Sequence, residues 1–169
     1  RRVLAWSLSL IQRSRPYSAR SAPHMTDHEE AQERIAECRR THSTKLSLSS
    51  LSLSVVPDEV FELTWLEHLD LDTCLLAELP YEIGLLSRLT VLDVQNNQLE
   101  FLPPDIGVLP NLTELVLNFN KLKILPAEIG QLSNLLVLSV DSNQLSILPK
   151  EIGHLVSLTT MVLRGHLGR

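Results

Sequence analysis

Leucines recur along this chain in a fixed frame, with polar residues filling the places between them. Segments 66–88, 89–111, 112–134 and 135–157 align without a gap. Each opens with apolar residues at its first, fourth and sixth positions: Leu66, Leu69, Leu71; Leu89, Leu92, Val94; Leu112, Leu115, Leu117; Leu135, Leu138, Val140. A further leucine follows (Leu76, Leu99, Leu122, Leu145), and each unit closes on L-P-x-D/E-I-G, as in Leu125-Pro126-Ala127-Glu128-Ile129-Gly130. Pro57, Pro80, Pro103, Pro126 and Pro149 stand 23 residues apart throughout. A period of this size signals stacked units, each burying its apolar face against the next. A weaker unit, 43–65, keeps Leu46, Leu48, Leu53, Val56, Pro57, Val60 and Leu63 in the same columns. A partial unit, 158–169, begins at Leu158 and retains Met161 and Leu163.

The alternation around the second and third leucines predicts a short strand with one face buried. Adjacent units then pair into a parallel sheet. Proline, with fixed φ and no N–H, ends the strand side and starts the return segment. The acid-Ile-Gly stretch predicts a short helical turn on the outer side. Its acid lies near the positive end, its isoleucine (Ile83, Ile106, Ile129, Ile152) points inward, and its glycine ends the turn. Upstream, Thr26 and Glu29 have capping-box spacing. Ala31, Ile35 and Cys38 fall on one face of a helix predicted over 27–40, read as the N-terminal cap of the stack.

The ninth position of the four regular units is Cys74, Asn97, Asn120 and Asn143. The resulting L-x-x-L-x-L-x-x-N/C-x-L pattern, over roughly 43–163, resembles the leucine-rich repeat. The L-P-x-D/E-I-G-x-L close is similar to the intracellular repeats of Ras-pathway scaffolds, the Ras suppressor protein, the plant Ras-group proteins, Scribble and Erbin. The resemblance implies a curved α/β solenoid, a horseshoe with a concave parallel sheet and short helical turns on its convex side. It also implies a role in binding other proteins, often in signalling. In such proteins the residues at Asn97, Asn120 and Asn143 are buried and bond the backbone of neighbouring turns. Loss of one is expected to cost about 1–3 kcal/mol. Cys74 bonds weakly and implies a looser turn, and His166 stands where another asparagine is expected.

The same resemblance turns the strand residues between the leucines toward the concave face. The columns there read Lys45, His68, Val91, Glu114, Val137, Thr160; then Ser47, Asp70, Asp93, Val116, Ser139, Val162; then Ser49, Asp72, Gln95, Asn118, Asp141, Arg164; then Ser50, Thr73, Asn96, Phe119, Ser142, Gly165. Asp70, Asp72 and Asp93 are expected to cluster on adjacent strands. Beside them Val91, Val116, Phe119 and Val137 are expected to form an exposed apolar patch, with Phe119 the only aromatic residue in these columns. An aromatic anchor beside charges is what a protein-binding hot spot needs. The candidate contact set is therefore His68, Asp70, Asp72, Val91, Asp93, Glu114, Val116, Asn118, Phe119, Val137 and Asp141, and the partner is a protein with a basic segment and an apolar side chain.

Composition narrows the class. The 169 residues, 44% hydrophobic, suit one domain plus a tail. Residues 1–24 hold five arginines and no acid, so the remainder carries 10 Lys and Arg against 20 acids, or −10. An acidic repeat body argues against nucleic-acid binding, which needs a basic stripe. Two cysteines, Cys38 and Cys74, without the cysteine-clustered caps of extracellular relatives, point to a reducing compartment. Asn111-Leu112-Thr113 matches a glycosylation sequon, read here as a by-product of the repeat consensus.

Residues 1–25 read as an unstructured basic leader. The acid-free, Arg- and Ser-rich composition resembles a mitochondrial transit peptide. The favoured alternative is a fragment or an over-extended reading frame, since Met25 is followed by the polar run Thr26-Asp27-His28-Glu29-Glu30. The sequence stops inside a repeat, read as a truncation or, less comfortably, as a divergent last repeat.

No phosphate-binding glycine loop, H-E-x-x-H or G-x-S-x-G occurs. His24, Asp27 and His28 are read as a solvated stretch rather than a metal site, and Asp70 with Asp72 as binding-face acids rather than a catalytic pair. The expected function is a non-enzymatic, cytoplasmic interaction scaffold with no cofactor. The alternative is the recognition arm of a larger kinase, Roco-type GTPase, adenylate cyclase or ubiquitin ligase.

Overall fold

The computed structural model describes residues 25–165. The leader and His166 lie outside them. The first element is α1 (Asp27–Thr41), one residue longer than the sequence predicts. Its start is fixed reciprocally: the Glu29 N–H donates to Thr26 Oγ1 at 3.2 Å, and the Thr26 N–H to Glu29 Oε2 at 2.8 Å. It ends at His42, whose φ of 50° turns the chain away. Ala31, Ile35 and Cys38 are buried, so the apolar stripe of α1 closes the end of the core.

Six three-residue strands follow: β1 (Lys45–Ser47), β2 (His68–Asp70), β3 (Val91–Asp93), β4 (Glu114–Val116), β5 (Val137–Ser139) and β6 (Thr160–Val162). They form one parallel sheet in sequence order. The register follows the repeat without a slip, pairing Leu46, Leu69, Leu92, Leu115, Leu138 and Met161 in one row. Leu46, Leu69, Leu92, Leu115 and Leu138 of that row are buried, which is why the register is specified: a one-residue slip would turn them outward.

The outer side carries five 3₁₀ turns, Asp58–Glu62, Tyr81–Leu85, Pro104–Val108, Ala127–Gln131 and Lys150–His154. Each is preceded by one of the phased prolines, whose carbonyl accepts the first bond of the turn, as from the Ile129 N–H to Pro126 O at 3.1 Å. Ile83, Ile106 and Ile129 are fully buried, while Ile152 in the last turn is partly buried.

The glycine of the closing motif has a different role from the one expected. It does not end the turn; it is the fourth residue within it. A Cβ on Gly107 would lie 2.4 Å from the carbonyl oxygen of Glu128, and one on Gly130 would lie 2.5 Å from that of Glu151. Glycine is therefore needed for the close approach of successive turns, not for its left-handed freedom. The first unit has Phe61 in this place, buried, and its turn touches the next one much less.

The helix is tied to the first unit by polar contacts. Arg39 pairs with Glu62 at 2.6 Å, and Asp27 Oδ2 accepts from the Ser52 N–H at 2.8 Å. The His42 and Trp65 rings stack at 4.6 Å, and Trp65 Nε1 donates to Ser43 O at 3.1 Å. The outward carbonyls of β1 are also occupied, Ser47 O by Arg34 Nη1 at 3.2 Å and Lys45 O by Ser43 Oγ at 2.8 Å.

Candidate functional site

The frame that presents the site is hydrogen-bonded through the asparagine column. Asn120 Nδ2 donates to the carbonyls of Val94, Leu117 and Asn118 at 2.9, 3.1 and 3.3 Å, and its Oδ1 accepts from the Leu99 N–H at 3.0 Å. Asn97 and Asn143 repeat the arrangement one unit either side. Each side chain thus satisfies largely buried backbone groups of its own turn and of the preceding one. Cys74 reproduces half of this. Its thiol reaches Leu48 O at 3.4 Å, but the Leu53 N–H turns to Leu51 O at 2.7 Å instead of to the sulfur. Burial pushes the Cys74 thiol up to about 11.

Just before that column the backbone is left-handed in every unit: Ser50, Thr73, Asn96, Phe119 and Ser142 have φ of 52–62°, and Gly165 has 82°. Sequence reasoning missed this. Asparagine, with its short polar side chain, tolerates the conformation, whereas a β-branched or bulky side chain there is an outlier. β-Branched Thr73 and bulky Phe119 are such outliers, and Phe119 is 53% exposed.

On the sheet face the expected acids come together. Asp70 and Asp93 are register partners on β2 and β3. Their carboxylates are held by local bonds. Asp70 Oδ1 accepts from the Asp72 N–H at 3.0 Å and its Oδ2 from Ser47 Oγ at 2.7 Å. Asp93 accepts from both the backbone and the side chain of Gln95, each at 3.0 Å. Asp72 Oδ1 accepts from Thr73 Oγ1 and Asn96 Nδ2, each at 2.8 Å. The Asp93 carboxyl is raised above the usual aspartate range, first by burial and then by Asp70, Asp72 and Glu114, against the Gln95 backbone bond. Further along, Asn118 Oδ1 accepts from the Asp141 N–H at 2.8 Å, and Asp141 Oδ1 is buried without a partner.

The apolar part of the face differs from expectation in degree. Val91, Val116 and Val137 are half-buried between neighbouring strands, as are His68 and Glu114, so Phe119 alone projects as a large apolar group from this face. The carboxylates of Asp70, Asp72, Asp93, Glu114 and Asp141 lie between Lys45 on β1 and Arg164 just beyond β6. A face built this way offers acceptors to cations and one rigid ring to an apolar or planar group.

The other candidate groups have structural partners. Asp27 is bound to Ser52, and among the described residues no cluster of His, Cys, Asp and Glu is arranged to hold a metal ion. Asn111 of the sequon is exposed, but its Nδ2 donates to Ser87 O at 2.8 Å, and Thr113 Oγ1 donates to Thr90 O at 2.9 Å. Both belong to a second set of repeat-to-repeat bonds, with Asn134 to Pro110 O and Thr159 to Leu136 O. The 23-residue period was the signal that marks this set. Among the described residues no helix is long and apolar enough to cross a membrane.

The leucine rich repeat family profile matches residues 87–145 and 110–166. Among curated proteins none matches the chain by sequence. Among solved structures it is similar to the plant peptide hormone receptor RGFR1 in complex with RGF2, at 41% identity over 69% of this chain and 20% of that one, TM-score 0.63. It is similar to YopM, a leucine-rich effector of Yersinia pestis, at 30% identity over 83% of this chain and 36% of that one, TM-score 0.65. It also matches the BIR3–SERK2 complex of Arabidopsis thaliana, at 30% identity over 73% of this chain and 71% of that one, TM-score 0.59. The chain therefore spans about a fifth of the hormone receptor and about a third of the effector. A six-stranded parallel sheet in unbroken register, an asparagine ladder beneath it and these likenesses place the chain among the leucine-rich repeat proteins.

Proposed function

We propose that this chain is a non-catalytic protein-binding module whose concave sheet face takes a partner segment that is basic and carries an apolar side chain. The observation that carries this reading is the juxtaposition of the bonded carboxylates of Asp70, Asp72 and Asp93 with the projecting ring of Phe119 on one sheet. Their local bonds hold the acids in place, so little ordering is required on association. One structural neighbour is a peptide hormone receptor in complex with RGF2 and another is the BIR3–SERK2 complex, and both support use of the fold for binding. The L-P-x-D/E-I-G close supports placement with the intracellular Ras-group and Scribble-like repeats, and buried free Cys38 and Cys74 suit a cytoplasmic scaffold in signalling.

A displayed library of short random peptides tests this reading. Selected binders are expected to carry arginine or lysine next to an aliphatic or aromatic residue. Asp93→Asn with Phe119→Ala should lower their affinity by about tenfold or more while the circular dichroism spectrum is unchanged. Binders that ignore both substitutions would sink the concave-face assignment.

A further inference from the structure

A second surface, separate from the sheet face, lies on the flank where the chain climbs from the strands to the outer turns. Phe101, Ile124 and Ile147 occupy the same position of three consecutive units, two residues before the phased proline. They are 55%, 50% and 67% exposed. Exposed apolar residues scattered singly need no explanation, whereas these three recur at one position of consecutive units. The row is bordered by cations. Lys121 and Lys123 lie on one side and Lys150 on the other, all exposed, and the chain has only one other lysine, Lys45. Lys123 Nζ sits 5.8 Å above the Phe101 ring and also pairs with Glu100, and Lys121 Nζ donates to Gln98 Oε1 at 3.1 Å. Phe101 and Lys121 line a shared groove of about 450 Å³. At its other end the row meets Glu78, so the flank runs from acidic to basic along the solenoid axis.

Spacing selects the partner's shape. Parallel strands advance about 4.8 Å per unit, and an α-helix rises about 5.4 Å per turn. A helix laid along the axis therefore offers one apolar residue per turn to one unit. Same-face residues of an extended strand are about 6.7 Å apart and fall out of step. Among the described residues the one helix, α1, has its apolar stripe buried in its own core, so it is not the occupant.

We propose that this flank is a docking surface for an amphipathic helix of a partner protein, its apolar stripe bordered by acidic residues at the end that meets Lys121 and Lys150. The recognition is that of a helix in a groove, with anchors at every third or fourth residue. It is independent of the concave face.

The test uses two peptides of about four helical turns, each with leucines on one face. One has glutamates bordering the leucines; its twin has lysines there. The glutamate peptide is expected to bind the protein at least about tenfold more tightly than the lysine twin. The double variant Ile124→Ser/Ile147→Ser should abolish that binding, while Val156→Ser, an exposed apolar position off the row, changes it by less than about twofold. Equal affinity for the two peptides, preference for the lysine twin, binding by neither, or binding that survives in the double variant overturns the proposal. So does binding that is lost on Phe119→Ala instead, which would assign the peptides to the sheet face.

Discussion

The carbonyl oxygen of Glu128 stands 2.4 Å from the point where a β-carbon on Gly107 would lie. This contact, repeated between Gly130 and Glu151, sets how closely the outer turns stack. Gly107→Ala must push two turns apart, and overpacking of this kind costs about 1–3 kcal/mol. Gly153, one unit later, has nothing within 4 Å of its would-be β-carbon. Gly153→Ala should be neutral or slightly stabilising, since alanine reduces the freedom of the unfolded chain. Urea unfolding midpoints of the two variants separate these outcomes. A Gly107→Ala midpoint equal to that of Gly153→Ala would show that the turns yield without strain.

Cys74 leaves the Leu53 N–H outside the ladder. Cys74→Asn supplies an oxygen for the Leu53 N–H and donors for Leu48 O, as Asn97 does for Leu76 and Leu71. The expected gain is about 0.5–1.5 kcal/mol. The reverse change, Asn97→Cys, should cost about 1–3 kcal/mol by leaving buried backbone groups unpaired. Thermal unfolding of both variants reads the sign directly; a destabilised Cys74→Asn would mean that the first unit cannot accommodate the amide.

Phe119 holds a left-handed backbone that suits asparagine, and Asn96 occupies the same position one unit earlier. Phe119→Asn should therefore raise stability by about 1 kcal/mol while weakening binding on the sheet face. A calorimetric melting curve and a peptide-binding titration on the same sample check the two halves. A variant that melts lower would remove the case for strain at this residue.

Asp93 gives the sheet face a pH dependence with a definite sign. Because its carboxyl is raised in the folded state, the native protein holds this proton more tightly than the unfolded chain. Its contribution to stability therefore falls as pH rises from the ordinary aspartate value near about 4 through the raised folded value, and is level above it. Asp93→Asn should remove that fall, gaining on the parent protein at neutral pH and converging with it in acid. Binding of a basic peptide moves the other way and weakens as Asp93 takes up its proton. Carboxyl carbon shifts followed by NMR, beside denaturation at several pH values, test both. An Asp93 titration at or below the other aspartates would refute the assignment.

The frame of this fold was legible because its buried residues repeat. The leucine columns, the asparagine ladder and the capping box all depend on residue type at a fixed spacing, and each appears where the spacing places it. What was not legible depends on backbone geometry or on the space between units. The left-handed position carries Ser, Thr, Asn, Phe and Ser in successive units, so no shared residue type marks it. Glycine in the closing motif fits two explanations, and only the nearness of Glu128 decides between them. The acids of the sheet face were placed by the resemblance to leucine-rich repeats, but the half-burial of Val91, Val116 and Val137 between neighbouring strands was not read from it. The row of Phe101, Ile124 and Ile147 was present in the 23-residue frame all along. It lies outside the strand columns between the leucines, and an apolar residue at that position reads equally as core until its exposure is known.

Arg34 has a consequence beyond anchoring α1. An unpaired outermost strand is a template on which a foreign chain can crystallise into a growing fibre. By placing its guanidinium on the outward carbonyl of Ser47, with Ser43 doing the same at Lys45, the protein occupies those acceptors with its own side chains. The cap is thus also a guard against misassembly, and its value would be felt when the protein is newly made and crowded among copies of itself.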